Sequence, residues 1–75
     1  MLNLKTVIER ATGYYLVSTV DTFDAGLETM VFRCKKDGEV TDYTDLASDR
    51  YNTVEEARNG HQHMVDTFMH NRYTN

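Results

Sequence analysis

The sequence has little of what stabilises or anchors many small proteins: one cysteine, Cys34, and no proline. A single cysteine cannot form a disulfide within the chain. Without a CxxC pair or a Cys/His cluster, we expect no structural zinc site. No apolar run approaches the roughly 18 residues that cross a bilayer, and residues 1–6 lack the features of a signal peptide. These absences predict an intracellular protein with a free thiol and no membrane attachment.

The chain also lacks internal repeats, low-complexity tracts and linkers, so its 75 residues predict a single domain spanning 1–75. A domain of this size buries roughly 60% of its unfolded surface, and its core is therefore small. Small domains often add disulfides, a metal or a partner subunit. With the first two excluded, good packing or oligomerisation remains, and we expect a homodimer.

Positive charge is scarce as well: twelve acidic side chains oppose eight basic ones, for a formal net charge of −4. Nucleic-acid-binding proteins usually show the opposite balance and a basic patch. The only basic cluster is Arg33, Lys35 and Lys36. The acidic residues are too scattered for a strong DNA mimic. A nucleic-acid partner is therefore not expected, and an ordinary solvated surface is the favoured interpretation.

What the chain does contain is two segments rich in β-branched and aromatic residues, 14–22 and 27–35. Both predict strands, separated by a break at residues 24–26. In the second strand, Met30, Phe32 and Cys34 alternate with Leu27, Thr29 and Val31. We expect the face with Met30 and Phe32 to be covered by a helix.

The dipeptide Asp37-Gly38 after the second strand predicts a hairpin with a two-residue type I′ turn. The turn sets a register in which every facing pair is chemically compatible. The predicted pairs are Lys36 with Glu39, Cys34 with Thr41, Phe32 with Tyr43, and Arg33 with Asp42. A third strand therefore follows, and residues 44–52 are expected to be irregular.

The strongest helix signal begins at Thr53, where Thr53 and Glu56 form a capping-box pattern. Behind it an apolar stripe at helical spacing carries one histidine; it consists of Ala57, His61, Met64, Val65 and Phe68. The helix is expected to run from about 54 to 71, with residues 72–75 frayed.

Residues 4–12 fit either a short helix ending at Gly13 or an extended lead-in. The overall prediction is an α+β fold. It has a three-stranded antiparallel meander and a long C-terminal helix packed on one face, with the short N-terminal helix as an open alternative.

His61 is the one titratable group on the apolar stripe of the helix. It is either a general base or ligand contact in a cleft, or a packing residue whose ring bonds a carbonyl or hydroxyl; the second interpretation is favoured. The adjacent Gly60 costs about 1 kcal/mol relative to alanine in a helix. We therefore expect the helix backbone to approach the sheet or a symmetry mate closely at Gly60.

Motifs for catalysis or cofactor binding are missing. The sequence has no Gly-rich phosphate loop, GxSxG, HExxH or EF-hand loop. His63, Asp66 and His70 share a helical face that could hold a surface metal, but a solvated polar face is the favoured interpretation. We predict no catalytic residues, metal or cofactor, and a non-enzymatic protein rather than an enzyme.

Several short motifs occur together in a characteristic order. They are VSTV at 17–20, ETMVF at 28–32, RYNT at 50–53, Glu56-Ala57 and Gly60-His61. Their combination resembles a family of small uncharacterised proteins from tailed bacteriophages and prophages, over about residues 16–65. The segment 22–26 is shorter here than the Gly/Pro-rich excursion of many relatives. The resemblance implies a phage origin and a compact fold, with no settled activity.

Two functions follow as predictions. The first is a binding protein in the cytoplasm of the bacterial host that interacts with or inhibits a host factor, such as a CRISPR effector or another defence component. The second is a binder or hydrolase of a small, nucleotide-like ligand built around His61 and Glu28. The predicted binding residues are His61, Glu28, Ser18, Thr19 and Tyr51.

Overall fold

The computed structural model describes residues 1–22, 24 and 26–70, and it has four strands and one helix. The strands are β1 (Asn3–Arg10), β2 (Gly13–Thr22), β3 (Gly26–Cys34) and β4 (Val40–Tyr51), followed by α1 (Val54–Met69). All neighbours are antiparallel, in the order β1-β2-β3-β4. The α+β class, the antiparallel meander and the C-terminal helix on one face are confirmed. The prediction of three strands is wrong.

The additional strand is β1, where the sequence allowed a short helix. It pairs with β2 along its whole length, from Asn3 opposite Val20 to Arg10 opposite Gly13. The segment fits both the helical period of about 3.6 residues and the strand period of about 2. Leu4 and Ile8 are four residues apart, which places them on one side of a helix and also on one face of a strand. Pairing with β2 decides between them. Gly13, at φ +129°, closes the tight β1–β2 turn instead of capping a helix.

The second difference is the extent of β4, which runs to Tyr51 although residues 44–52 were expected to be irregular. Most of β4 is exposed because it is an edge strand. An exposed edge needs no apolar residue at alternate positions, so its sequence carries little strand signal.

The β3–β4 hairpin forms at the predicted place with a different turn. The amide of Gly38 donates to the Lys35 carbonyl, and the Lys35 amide donates to the Glu39 carbonyl, both at 2.9 Å. With Gly38 at φ +92°, the loop holds three residues, a common alternative to the two-residue turn. Lys35 rather than Lys36 therefore forms the ion pair with Glu39, at 2.9 Å.

Beyond the turn, the predicted register is partly right. Arg33 lies opposite Asp42 as expected, but Cys34 lies opposite Val40 instead of Thr41. Val31 lies opposite Ala47 and Arg33 lies opposite Asp42. Phe32 alone therefore faces the four residues 43–46, and β4 has a large irregular bulge at this point. The Phe32 and Tyr43 rings are in contact, with centroids 5.7 Å apart.

The helix covers the sheet face opposite to the predicted one. Thr29 and Val31 are fully buried, whereas Met30 and Phe32 remain partly exposed. The buried core cluster draws its residues from β1, β2, β3 and α1, and consists of Ile8, Tyr15, Val17, Val31, Val65 and Phe68. Leu46 and Ala47 of β4 are partly buried and pack against this cluster. Both faces of β2 and β3 carry apolar residues, and alternation alone therefore could not identify the covered face.

The ends of α1 follow local capping chemistry. The Thr53 hydroxyl accepts from the Glu56 amide at 3.1 Å, as predicted. The Glu56 carboxylate accepts from the amide of Asn52 at 3.0 Å, one residue earlier than expected. The predicted end at Asn71 and the frayed segment 72–75 lie outside the described residues.

In the described part of the chain, no helix has the length and apolarity needed to cross a membrane.

Candidate functional site: a threonine–histidine network

His61 lies between the helix and the sheet, only 7% exposed. Both of its ring nitrogens contact threonine hydroxyls: Nδ1 is 2.7 Å from Thr19 Oγ1 and Nε2 is 2.8 Å from Thr6 Oγ1. The helical stripe directs the imidazole at the sheet, and strand alternation directs the two hydroxyls at the helix. This is the arrangement expected for a packing histidine satisfied by hydroxyl groups.

The contacts continue through the sheet to its far edge. Thr19 Oγ1 lies 2.5 Å from Thr29 Oγ1, and the Tyr51 hydroxyl donates to Thr29 Oγ1 at 3.0 Å. One line of hydrogen bonds therefore crosses every element, from Tyr51 on β4 through Thr29, Thr19 and His61 to Thr6 on β1. We call these five residues the threonine–histidine network.

The network has a consistent donor direction when His61 is neutral. Tyr51 donates to Thr29, Thr29 to Thr19, and Thr19 to Nδ1 of His61, so that Nε2–H donates to Thr6. Protonation would make Nδ1 a donor as well. Thr19 would then accept from the ring, and one of the two hydroxyl protons of Thr19 and Thr29 would have no acceptor left in the network, because Tyr51 already donates to Thr29.

Electrostatics also favour the neutral imidazole. Burial lowers the pKa of His61 below its ordinary value of 6.5, and the positive charge of Lys5 lowers it further. Every buried side-chain polar atom in the described part of the chain has a hydrogen-bond partner. The network is thus fully satisfied, as a polar group in a small core must be to avoid a desolvation cost.

Gly60 is required by the tyrosine at the end of the network. A Cβ at this position would overlap the ring atoms Cε1 and Cζ and the hydroxyl of Tyr51. The close approach predicted from the cost of a helical glycine is confirmed, and Tyr51 is the group that approaches. Of the motif residues, Tyr51, Gly60 and His61 lie at the contact between α1 and the sheet, and Thr53 and Glu56 cap the start of α1.

The structure brings three of the five predicted binding residues together and separates the other two. His61, Thr19 and Tyr51 belong to the network. Ser18 and Glu28 lie on strand positions that face away from α1. Glu28 is paired with Arg50 at 3.4 Å, on the opposite side of the sheet from His61. A Glu28–His61 pair is not formed.

Sequence reasoning missed two members of the network, Thr6 and Thr29. Thr29 could have been identified, because Thr29 and Val31 repeat the pattern of Thr19 and Val17, which pair with them across β2 and β3. Thr6 carried no such signal, since the segment around it was ambiguous between helix and strand.

The chemistry open to the network is limited by access. A hydroxyl that donates to an imidazole is the first step of a nucleophile–base pair, but Thr19 and Thr29 are fully buried. A cavity of about 290 Å³ is lined by Glu9, Arg10, Ala11, Thr12 and Met69, none of which belongs to the network. Because Thr19 is fully buried, a substrate could reach its hydroxyl only if the surrounding packing opened.

Other reactive groups are equally enclosed or dispersed. Cys34 is buried, and burial together with the nearby Asp37 carboxylate raises the pKa of its thiol, which disfavours the reactive thiolate. Among residues 1–22, 24 and 26–70, no three or more His, Cys, Asp or Glu side chains are grouped to hold a metal.

Comparison with known protein families, curated proteins and solved structures gave no match to this chain. The resemblance to phage proteins therefore stays a prediction.

Proposed function

We propose that the chain is a small phage-encoded protein that acts without catalysis, by binding a protein of its bacterial host in the cytoplasm. One observation carries this proposal: the buried histidine to which the sequence pointed is enclosed in hydrogen bonds that join the helix to the sheet. A side chain used in this way serves the fold, and the functional groups must then lie on the surface.

The surface offers groups suited to a protein contact. Tyr43 is 77% exposed, and Val7, Val54 and Met69 are also exposed. Tyrosine combines a rigid apolar ring with a polar tip and is enriched at interfaces. A binding protein needs such groups and no catalytic arrangement, which agrees with what the described residues present.

The class of partner follows from the predicted phage origin. On that basis we propose a defence component of the host, such as a CRISPR effector, as the partner class. Support for this step comes from the motif resemblance and not from the geometry.

The test is isolation of the tagged chain from its bacterial host, followed by quantitative binding to each purified host protein that co-purifies in stoichiometric amount. Supporting results are a specific complex and a change in phage growth when the chain is expressed. Absence of any host protein from the isolate, with phage growth unchanged, would refute the proposal.

The alternative is a small nucleotide-like ligand bound at the network. The Thr19 hydroxyl, 2.7 Å from His61 Nδ1, is the observation that favours it. Thermal unfolding with and without nucleoside mono- and triphosphates tests it. A shift in unfolding temperature that disappears in a folded His61→Gln variant would support the alternative, and no shift would exclude these nucleotides.

A further inference from the structure

The bulge in β4 gives the molecule a distinct exposed aromatic site. Phe32 alone faces residues 43–46, and the strand therefore bends away from regular pairing. Tyr43 lies at the start of this bulge, and its ring meets Phe32 at an interplanar angle of 62°. Phe32 supports the tyrosine ring from the sheet while most of Tyr43 remains in solvent.

Negative charge dominates the same edge, and the single basic residue of β4, Arg50, is paired with Glu28. Residues 37–49 contain no lysine, arginine or histidine and five carboxylates: Asp37, Glu39, Asp42, Asp45 and Asp49. Lys35 pairs with Glu39, and Arg33 lies opposite Asp42. Asp45 and Asp49 are exposed and have no ion-pair partner among the described residues. The charge beside Tyr43 is therefore left for a cationic partner.

Backbone groups at this edge are less available than side chains. The Asp42 carboxylate accepts from the Thr44 amide, and the Asp49 carboxylate accepts from the Arg50 amide, both at 2.9 Å. An amide that already donates to a carboxylate of its own strand is less available to an added strand. A second copy would also bring the same negative charges to the contact. The edge is thus unsuited to self-association by strand pairing and suited to contact through side chains.

We infer that the edge of β4 around Tyr43 is a docking surface for a cationic protein segment, with a partner arginine stacked on the Tyr43 ring and paired with Asp45. Arginine suits this site because its planar guanidinium stacks on aromatic rings and pairs with carboxylates at the same time. The inference rests on the proposed function, since it names the surface and the chemistry through which a host protein would be bound.

The test is an NMR titration of the ¹⁵N-labelled chain with a short Gly/Ser peptide that carries arginine at alternate positions. Peptides with lysine or glutamate at the same positions are the comparison probes. We expect amide shifts centred on residues 41–49, tighter binding of the arginine peptide than of the lysine peptide, and no shifts with the glutamate peptide. Screening by added salt should weaken the binding.

Two double variants separate a specific surface from general charge attraction. Tyr43→Ala/Asp45→Asn should weaken binding of the arginine peptide roughly tenfold, since it removes both the stacking and the ion pair. Glu9→Gln/Asp21→Asn removes two exposed carboxylates elsewhere and should leave binding within about twofold, as expected for distant independent sites. Equal weakening by both variants would overturn the inference.

Further outcomes also decide against it. Shifts spread over the helical carboxylates Glu55 and Glu56 would show non-specific attraction. Shifts at residues 41–49 that grow with protein concentration, without peptide, would show a second copy on this surface.

If a host protein is captured and binds the Tyr43→Ala/Asp45→Asn variant unchanged, the docking surface is wrong and the proposed function stands. If the arginine peptide binds as expected but no host protein is found, only the proposed function fails.

Discussion

At the scale of single residues, His61 connects the helix to the sheet through two hydroxyl groups. Replacing it with alanine removes both hydrogen bonds, leaves a cavity, and deprives Thr19 of an acceptor. We expect His61→Ala to lower the free energy of unfolding by about 3 kcal/mol. Urea denaturation followed by circular dichroism measures this.

His63 provides the matched control, because it lies on the same helix and is exposed. His63→Ala should change the unfolding free energy by less than about 0.5 kcal/mol. If both variants lose the same small amount of unfolding free energy, His61 does not stabilise the fold. A role for His61 in ligand binding would then gain support.

The same residue predicts a pH dependence with a definite sign. The pKa of His61 in the folded chain is lowered from 6.5 by burial and by Lys5, and the unfolded chain therefore binds the proton more readily. Its contribution to stability is complete above the unfolded pKa and is lost as the pH falls from there towards the folded pKa. As the pH falls from about 7 to 5, the unfolding free energies of wild type and His61→Gln should converge, because wild type declines more steeply.

Parallel declines in the two proteins would show that carboxylates alone set the pH dependence in this range. His63→Gln should behave as wild type, since the His63 ring is exposed and makes no side-chain hydrogen bond within residues 1–22, 24 and 26–70.

At the scale of elements, the contact between α1 and β4 depends on the absence of a side chain at Gly60. Alanine would gain about 1 kcal/mol in helix propensity, but its Cβ would displace the Tyr51 ring and the hydrogen bond from Tyr51 to Thr29. We expect Gly60→Ala to lower the unfolding free energy by about 2 kcal/mol, as overpacking typically does. Thermal or urea unfolding provides the measurement.

Two comparisons make the Gly60 prediction specific. Asn59→Ala, at the exposed neighbouring position, should raise stability by a few tenths of a kcal/mol. In a Tyr51→Ala background, Gly60→Ala should become stabilising, because the group that it displaces is gone. A destabilising Gly60→Ala in that background would assign the cost to something other than Tyr51.

The start of α1 depends on the Thr53 hydroxyl, which accepts from the Glu56 amide. Thr53→Ala should cost about 1 kcal/mol of unfolding free energy, and Thr53→Ser should cost much less because serine also caps well. Identical losses in the two variants would mean that the threonine methyl group, and not the cap, provides the stabilisation.

The sequence predicted α1, β2 and β3 because each has a strong local signal, such as the Thr53 cap or the β-branched run from Leu16 to Val20. It could not predict β1, where helical and strand periods coincide at Leu4 and Ile8. It also could not predict the length of β4, whose exposed edge has no burial pattern to follow. These two strands are defined by pairing with their neighbours, which is a tertiary effect.

The candidate site could likewise be predicted only in part. His61 was recognisable as the titratable residue in the apolar stripe, and Gly60 as a glycine inside a helix. Thr19 and Tyr51 were identified, but the expected partner Glu28 lies across the sheet. Its placement depended on which face α1 covers, and the two apolar faces of β2 left that choice open.

At the scale of the whole molecule, the polar network lies inside the fold and joins α1 to the sheet, whereas the acidic edge of β4 is the surface that we propose for partner contact. The network uses the hydroxyls of three threonines and Tyr51 together with the His61 imidazole, whereas Tyr43 and Asp45 are exposed. The predicted homodimer remains a prediction, and the capped amides of β4 argue against strand pairing at that edge.

The central claim is that the chain works by binding a protein and not by holding a small ligand at His61. Native mass spectrometry of the tagged chain isolated from its bacterial host tests this most directly. We predict a stoichiometric host protein attached to the chain, and its loss from the Tyr43→Ala/Asp45→Asn variant. A stoichiometric added mass of a few hundred daltons, without a host protein and lost from His61→Gln, would contradict the account.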